Sequence, residues 1–185
     1  LLLAASLLAP CAAGATVLTV TSTNDSGSGT LRQAILDANA LIGADESRFN
    51  LGANKTITLT TKLPSLTTPI DVNGTSQPGW TGTPLIVIDG QNVAQDGFLV
   101  TSRNCKIRGL VIHDFGGNGI ALSGADNATV QGNWIGLNVS GTGAVPNGGS
   151  GIAASGTSTS HKIGGTTAAQ RNVISGNGDD GITLS

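Results

Sequence analysis

Charge is scarce in this chain: Lys, Arg, Asp and Glu make up 11% of its residues, and their formal balance is -2. That leaves no basic footprint for nucleic acid or an anionic membrane surface, so neither is expected as a partner. Aromatic residues are 3%, and Tyr and Met are absent, which sets the composition apart from an average globular domain. The apolar stretch at residues 1–15 (LLLAASLLAPCAAGA) is too short to cross a bilayer, and no transmembrane helix is expected in this piece. It reads instead as an export signal without its basic start, with Ala13-Gly14-Ala15 as the small-residue pattern that precedes cleavage. Pro10 directly before Cys11 fits a lipoprotein box poorly. Cleavage after Ala15 leaves Cys105 as the only thiol, which excludes an internal disulfide in the mature chain. Cys105 shares the strand parity of Ile107 and is expected as a small buried hydrophobe rather than a nucleophile.

Gly, by contrast, is abundant, at 28 of 185 residues, and with Val, Ile, Thr and Asn it describes short strands between tight corners. One phrase recurs: Asp96-Gly97-Phe98-Leu99-Val100 returns as Asn118-Gly119-Ile120-Ala121-Leu122, as Ser150-Gly151-Ile152-Ala153-Ala154, and as Asp180-Gly181-Ile182-Thr183-Leu184. Its glycines are 22, 32 and 30 residues apart (97 to 119, 119 to 151, 151 to 181). A second phrase alternates with it, led by Ile107, Val130 and Ile163. Self-similarity at this period predicts stacked repeats, none of which can bury its apolar face alone. About 22 residues suit three short strands per turn, each stacked ~4.8 Å above its predecessor. The inward set is then Ile107, Leu110, Ile112, Ile120, Leu122, Val130, Asn133, Ile135, Ile163, Ile174, Ile182 and Leu184, with a corner at Gly109. Asn104, Asn127 and Ser160 form one column, and Asn133 and Asn172 another. Short side chains stacked on their own copies can satisfy the backbone groups that buried turns strand.

Before the repeats, residues 16–21 (TVLTVT) alternate as a strand, and residues 56–63, 69–72, 85–88 and 98–100 supply further strands. Between them lies the only helical pattern: Leu31, Ala34, Ile35, Ala38, Leu41 and Ile42 recur at three and four. Thr30 and Gln33 form a capping box at its start, and Gly43 stands where a C-terminal cap belongs. Such a helix can plug an open strand edge. The expected organisation is a partial signal at 1–15, a strand and capping helix at 16–55, and coils at 56–185, truncated at the C-terminus with further coils beyond Ser185.

The run Thr30-Leu31-Arg32-Gln33-Ala34-Ile35 with Ala38-Asn39 resembles the N-terminal module named for its Cys-Ser-Leu-Arg-Glu-Ala signature. Here Gly29-Thr30 stands for Cys-Ser and Gln33 for Glu. The phrases Asn73-Gly-Thr-Ser-Gln-Pro-Gly-Trp80, Thr83-Pro-Leu-Ile-Val-Ile-Asp-Gly90, Gly-Asn-Trp-Ile-Gly and Arg-Asn-Val-Ile-Ser-Gly-Asn are similar to the same group. The likeness extends over residues 16–185. It implies an all-β fold, a right-handed parallel β-helix (solenoid) with an N-terminal amphipathic capping helix, on a secreted or cell-surface, outer-membrane-associated bacterial protein of the polymorphic outer-membrane type.

For function, the leading expectation is an exported, non-catalytic surface module, adhesive or carbohydrate-contacting, whose partners are polysaccharide or host and cell-surface glycans. The alternative is the N-terminal part of a polysaccharide lyase or glycoside hydrolase with its catalytic residues in later coils. Asp179-Asp180 has the look of a hydrolase carboxylate pair, but neighbours on a strand face opposite ways, and the other hydrolase elements have no counterpart. The repeat-region carboxylates Asp89, Asp96, Asp114, Asp126, Asp179 and Asp180 are scattered among turns, so neither a calcium site nor a cofactor is expected. The candidate binding residues are Trp134, Val111 and Val173, with Val87, in an outward apolar column. The column is expected either to take a sugar ring or to be covered by the lengthened loops at 136–149 and 164–171, which are expected to protrude together. His113 is the fourth candidate, as a surface His beside Asp89.

Overall fold

The structure is a computed structural model that describes residues 14–156 and 158–185. Most of the expected export signal therefore lies outside the described residues. In chain order the elements are β1 (Val17–Val20), α1 (Leu31–Ala40), β2 (Asp45–Phe49), β3 (Thr56–Thr58), β4 (Ile70–Asn73), β5 (Ile86–Val93), β6 (Phe98–Val100), β7 (Lys106–Arg108) and β8 (Leu110–Phe115). There follow β9 (Ile120–Ser123), β10 (Thr129–Gln131), β11 (Trp134–Ile135), β12 (Ile152–Ser155), β13 (Lys162–Ile163), β14 (Val173–Ile174) and β15 (Ile182–Leu184). The chain is thus β-rich, with one α-helix among the described residues.

All strand pairs are parallel and fall into three sheets. The first runs β1-β2-β4-β7-β10-β13, the second β3-β5-β8-β11-β14, and the third β6-β9-β12-β15. From β4 onward the chain visits first, second and third sheet in that order, four times over. The registers follow the repeated phrases: Phe98 pairs Ile120, Ile120 pairs Ile152, and Ile152 pairs Ile182. Ile107 pairs Val130, which pairs Ile163.

The recurring glycine has a steric cause. A Cβ on Gly97 would lie 2.6 Å from the carbonyl oxygen of Gly119, and one on Gly119 would lie 2.8 Å from that of Gly151. Each strand start sits so close to the next that no side chain fits. Gly109 and Gly132 recur for a different reason, since both corners need a positive φ, +70° and +67°.

Inside, Ile107, Leu110, Ile112, Ile120, Leu122, Val130 and Ile135 are buried as the alternation requires. Ile163 and Ile174 pack against them partly buried, whereas Ile182 and Leu184 are exposed. Cys105 is buried, donates to the Thr68 carbonyl, and has its thiol pushed up by burial, so it is a core residue. The side-chain ladders form as well. Asn104, Asn127 and Ser160 all adopt a left-handed backbone, and Asn127 Nδ2 donates to Asn104 Oδ1 at 2.7 Å. Asn133 Nδ2 donates to the Ile107 carbonyl, its Oδ1 accepts from Leu110 N–H, and Asn172 repeats the arrangement toward Val130. A third ladder escaped the sequence reading because it lies inside a lengthened coil: Asn147 accepts from Phe115 N–H and donates to Asn177.

The helix forms with corrections at its ends. Thr30 caps it by accepting from Gln33 N–H, but the Gln33 side chain donates to Asp37 and leaves the box half made. Leu31, Ala34, Ile35 and Ala38 join the core against β1 and β2. The helix stops at Ala40, so Gly43 is not its cap, and Ile42 is 81% exposed rather than part of the apolar face. The strand expected over 56–63 is confined to Thr56–Thr58. Strand β2 was not anticipated at all, because its inward residues are Asp45, Ser47 and Phe49 and the first two are polar.

Candidate functional site

The expected apolar column exists as a register: Val87 pairs Val111, Val111 pairs Trp134, and Trp134 pairs Val173. It is not an open strip. Val111 has 0% exposed surface, Val87 is buried, and Trp134 and Val173 are only partly exposed. The coil at 136–149 turns back over the indole, to the point where a Cβ on Gly141 would meet the Trp134 ring at 2.8 Å. Loop cover therefore prevails there, and Val111 cannot touch a ligand. The two lengthened coils also part company, since residues 168–170 flank the first sheet instead. His113 lies beside Asp89 as expected but is partly buried rather than open to solvent: its side chain is 13% exposed, and its Nδ1 lies 3.8 Å from Asp89 Oδ1, too far for a hydrogen bond. Burial pushes its imidazole below the ordinary value, against the opposing pull of Asp89 and Asp114.

The polar outer face of the first sheet presents a different site. Alternation along β2, β4, β7 and β10 turns Glu46 and Arg48, Asp71 and Asn73, Lys106 and Arg108, and Thr129 and Gln131 to one side. Register puts Glu46, Asp71, Lys106 and Thr129 in one row, and Arg48, Asn73, Arg108 and Gln131 in the next. Strand spacing of ~4.8 Å brings each side chain within reach of its row neighbours. Arg108 Nε and Nη2 grip Asp71 in a two-pronged bond at 2.9 and 2.8 Å. Lys106 Nζ lies 3.8 Å from the same carboxylate. Glu46 accepts from Asn73 at 2.6 Å and from Arg48 at 2.9 Å. Burial acts to raise the Glu46 carboxyl, but these bonds and the charges of Arg48 and Arg108 outweigh it and hold it below the usual range. The bond that Arg108 donates to Asp71 raises the guanidinium above its ordinary value.

Two hollows open on this face and share Arg108. One, about 370 Å³, lies over Glu46, Arg48, Asp71 and Lys106 and reaches Thr16 and Asp45. The other, about 260 Å³, is walled by Thr75, Trp80, Gln131, Ala169 and Gln170. Single 3-10 turns at Gly74–Ser76 and Ala168–Gln170 set its rims. The first turn is pinned by Gln77, which is buried and bonds both the N–H and the carbonyl of Leu51. Trp80 Nε1 is buried, with no hydrogen-bond partner among the described residues. Compared with known proteins, the chain matches no family model and no curated sequence. Among the described residues no cluster of three metal-ligating side chains occurs, and no helix is long and apolar enough to cross a membrane.

Sequence reasoning missed this site because its charges are dispersed along the chain from Glu46 to Gln131, and only register assembles them. The signal that could have found it was the alternation of Lys106, Arg108 and Gln131 opposite the inward aliphatics. On that parity the polar residues share a face.

Proposed function

We propose that the three parallel sheets are the faces of a right-handed parallel β-helix closed at its start by α1, and that the protein is an exported, non-catalytic module contacting carbohydrate at a bacterial cell surface. The observation that carries the binding part is the pair of hollows joined at Arg108. They combine a mutually fixed set of charged donors and acceptors with the indole of Trp80. Hydroxyl-rich ligands are recognised by such sets: planar amides and ion-paired side chains orient the hydroxyls, and an aromatic ring covers the apolar face of the sugar.

Recognition suits this face better than hydrolysis does. A glycosidase needs one carboxyl held protonated near neutral pH. Glu46 is held as a carboxylate instead, and Asp71 has both oxygens committed to Arg108. The likeness to surface proteins with a Cys-Ser-Leu-Arg-Glu-Ala module supports the cellular address.

The test is retention of the protein on insoluble polysaccharides, with reducing ends assayed in the same tubes. Retention without sugar release, lost in Trp80→Ala and Gln131→Ala but kept in Trp134→Ala, is the expected result. Release of reducing ends would overturn the non-catalytic reading, and retention that follows Trp134 would move the site to the second sheet.

A further inference from the structure

Asp45 is a carboxylate in the wrong company. It is 2% exposed and sits at the inward-facing start of β2. Its Oδ1 accepts from the backbone N–H of Thr16 at 2.8 Å, while its Oδ2 is buried with no hydrogen bond among the described residues. No Lys, Arg or His forms an ion pair with it among the described residues. A buried carboxylate with one neutral donor is costly, and proteins keep such groups where a positive charge completes them. The atom that touches it is the nitrogen of the residue directly after Ala13-Gly14-Ala15, the small-residue pattern of signal cleavage.

We propose that hydrolysis of the Ala15–Thr16 bond turns this contact into a buried ion pair between the new α-ammonium of Thr16 and the Asp45 carboxylate, so that removal of the leader completes the fold. In that step water, activated by the membrane-bound signal peptidase of the export pathway, adds its hydroxyl to the Ala15 carbonyl carbon. The C–N bond breaks, and the Thr16 nitrogen leaves as an amine that takes up a proton at neutral pH. One N–H donor becomes three, enough to reach Oδ1 and the orphaned Oδ2 together.

The surroundings suit the switch. Gly14 and Ala15 are exposed, so the bond is reachable. The Thr16 carbonyl is held by Glu46 N–H at 2.9 Å, and Asp45 N–H by the Pro69 carbonyl at 3.1 Å, so the two partners are fixed on adjacent strands before cleavage. Glu46, Arg48, Asp71, Lys106 and Arg108 line the same hollow but are bonded to one another, and they leave Asp45 to Thr16.

The inference rests on the export reading, and the experiment separates the two. Fractionation tests export, and a chain that keeps its leader and stays inside the cell overturns both readings; N-terminal sequencing of exported protein tests the cleavage site, and a first residue other than Thr16 overturns the ion pair alone. Chains beginning at Thr16 and at Gly14, each with Asp45 and with Asp45→Asn, are then compared. The Thr16 chain with Asp45 should melt roughly 3 °C or more above the Gly14 chain. Asp45→Asn should abolish that difference. The α-amino group followed by NMR should titrate at least about one unit above the ordinary ~7.7–8.0. Its contribution to stability is fully present below the ordinary value and disappears as pH rises through the raised one. Secreted protein beginning at Thr16 but with an ordinary amine titration and no dependence on Asp45 would leave export standing and overturn the ion pair.

Discussion

Asn133 is a fully buried amide that serves two successive strands at once. Its oxygen takes the Leu110 N–H at the corner and its nitrogen serves the Ile107 carbonyl before that corner. Asn133→Leu keeps the volume and orphans both groups, a loss of roughly 2–5 kcal/mol at the usual cost per buried unpaired group. Asn127 differs, since its bond to Asn104 is exposed and its main task is a backbone φ of 55°. Asn127→Gly should stay within about 1 kcal/mol of the native chain in urea melts, because Gly adopts that φ freely. Equal losses at the two positions would show that the ladders act only through the backbone. His113 gives a pH prediction. Burial holds its folded pKa below the ordinary ~6.5, so the unfolded chain binds the proton first as pH falls. Stability should decline below about pH 6.5 and level off once pH passes the folded value. Asp25 and Glu46 are depressed carboxyls, and their contributions are lost only at lower pH, as it falls through their own folded values. His113→Gln should flatten the urea midpoint between about pH 6.5 and 5, and an unchanged slope would assign the titration elsewhere.

Elements were legible in the sequence wherever one residue type did one job. The repeated Gly-aliphatic phrase revealed the register of β6, β9, β12 and β15, and at Gly97, Gly119 and Gly151 a close approach excludes every Cβ, a demand only glycine meets. Gly119→Ala would push a methyl to 2.6 Å from Ile135 Cγ2 and 2.8 Å from the Gly151 carbonyl. Overpacking of that kind costs about 1–3 kcal/mol. Gly52→Ala, with open space around it, should leave the melt unchanged. Matching losses at both sites would mean that helix and strand propensity, rather than space, governs these positions. Legibility failed where inward positions were polar or where cover came from afar. Strand β2 hid behind Asp45 and Ser47, and Ile42 kept a helical spacing after the chain had already left the helix at Ala40. The Trp134 column was read with the right register, and the choice between a sugar ring and loop cover needed the structure, since parity gives the direction of a side chain and says nothing of the coil folded over it. The Arg108 site was missed for the converse reason: its rows run across strands, perpendicular to the order in which a sequence is read.

At the scale of the whole molecule, the hydrogen bonds that define the sheets join residues from 22 apart, as in Phe98 with Ile120, to 39 apart, as in Trp134 with Val173. Each round of strands is therefore held by the rounds on either side of it and not by its own loops. In the β-helix proposed above, stability is a sum over neighbouring interfaces, and a local lesion should spread to adjacent rounds before distant ones. Ile120 tests this because it is fully buried and β9 is bonded to both β6 and β12. Ile120→Asp buries a charge among aliphatics with no partner. Hydrogen exchange on that variant should show protection lost first in β6, β9 and β12. The amides of β1, β2 and α1 should remain slow, because their packing through Leu31, Ile35 and Phe49 lies rounds away. Simultaneous loss of protection throughout, at one rate, would instead mark a single cooperative unit and reject the additive picture. An intact exchange pattern would mean that the Ile120 side chain is not held inside the stack at all.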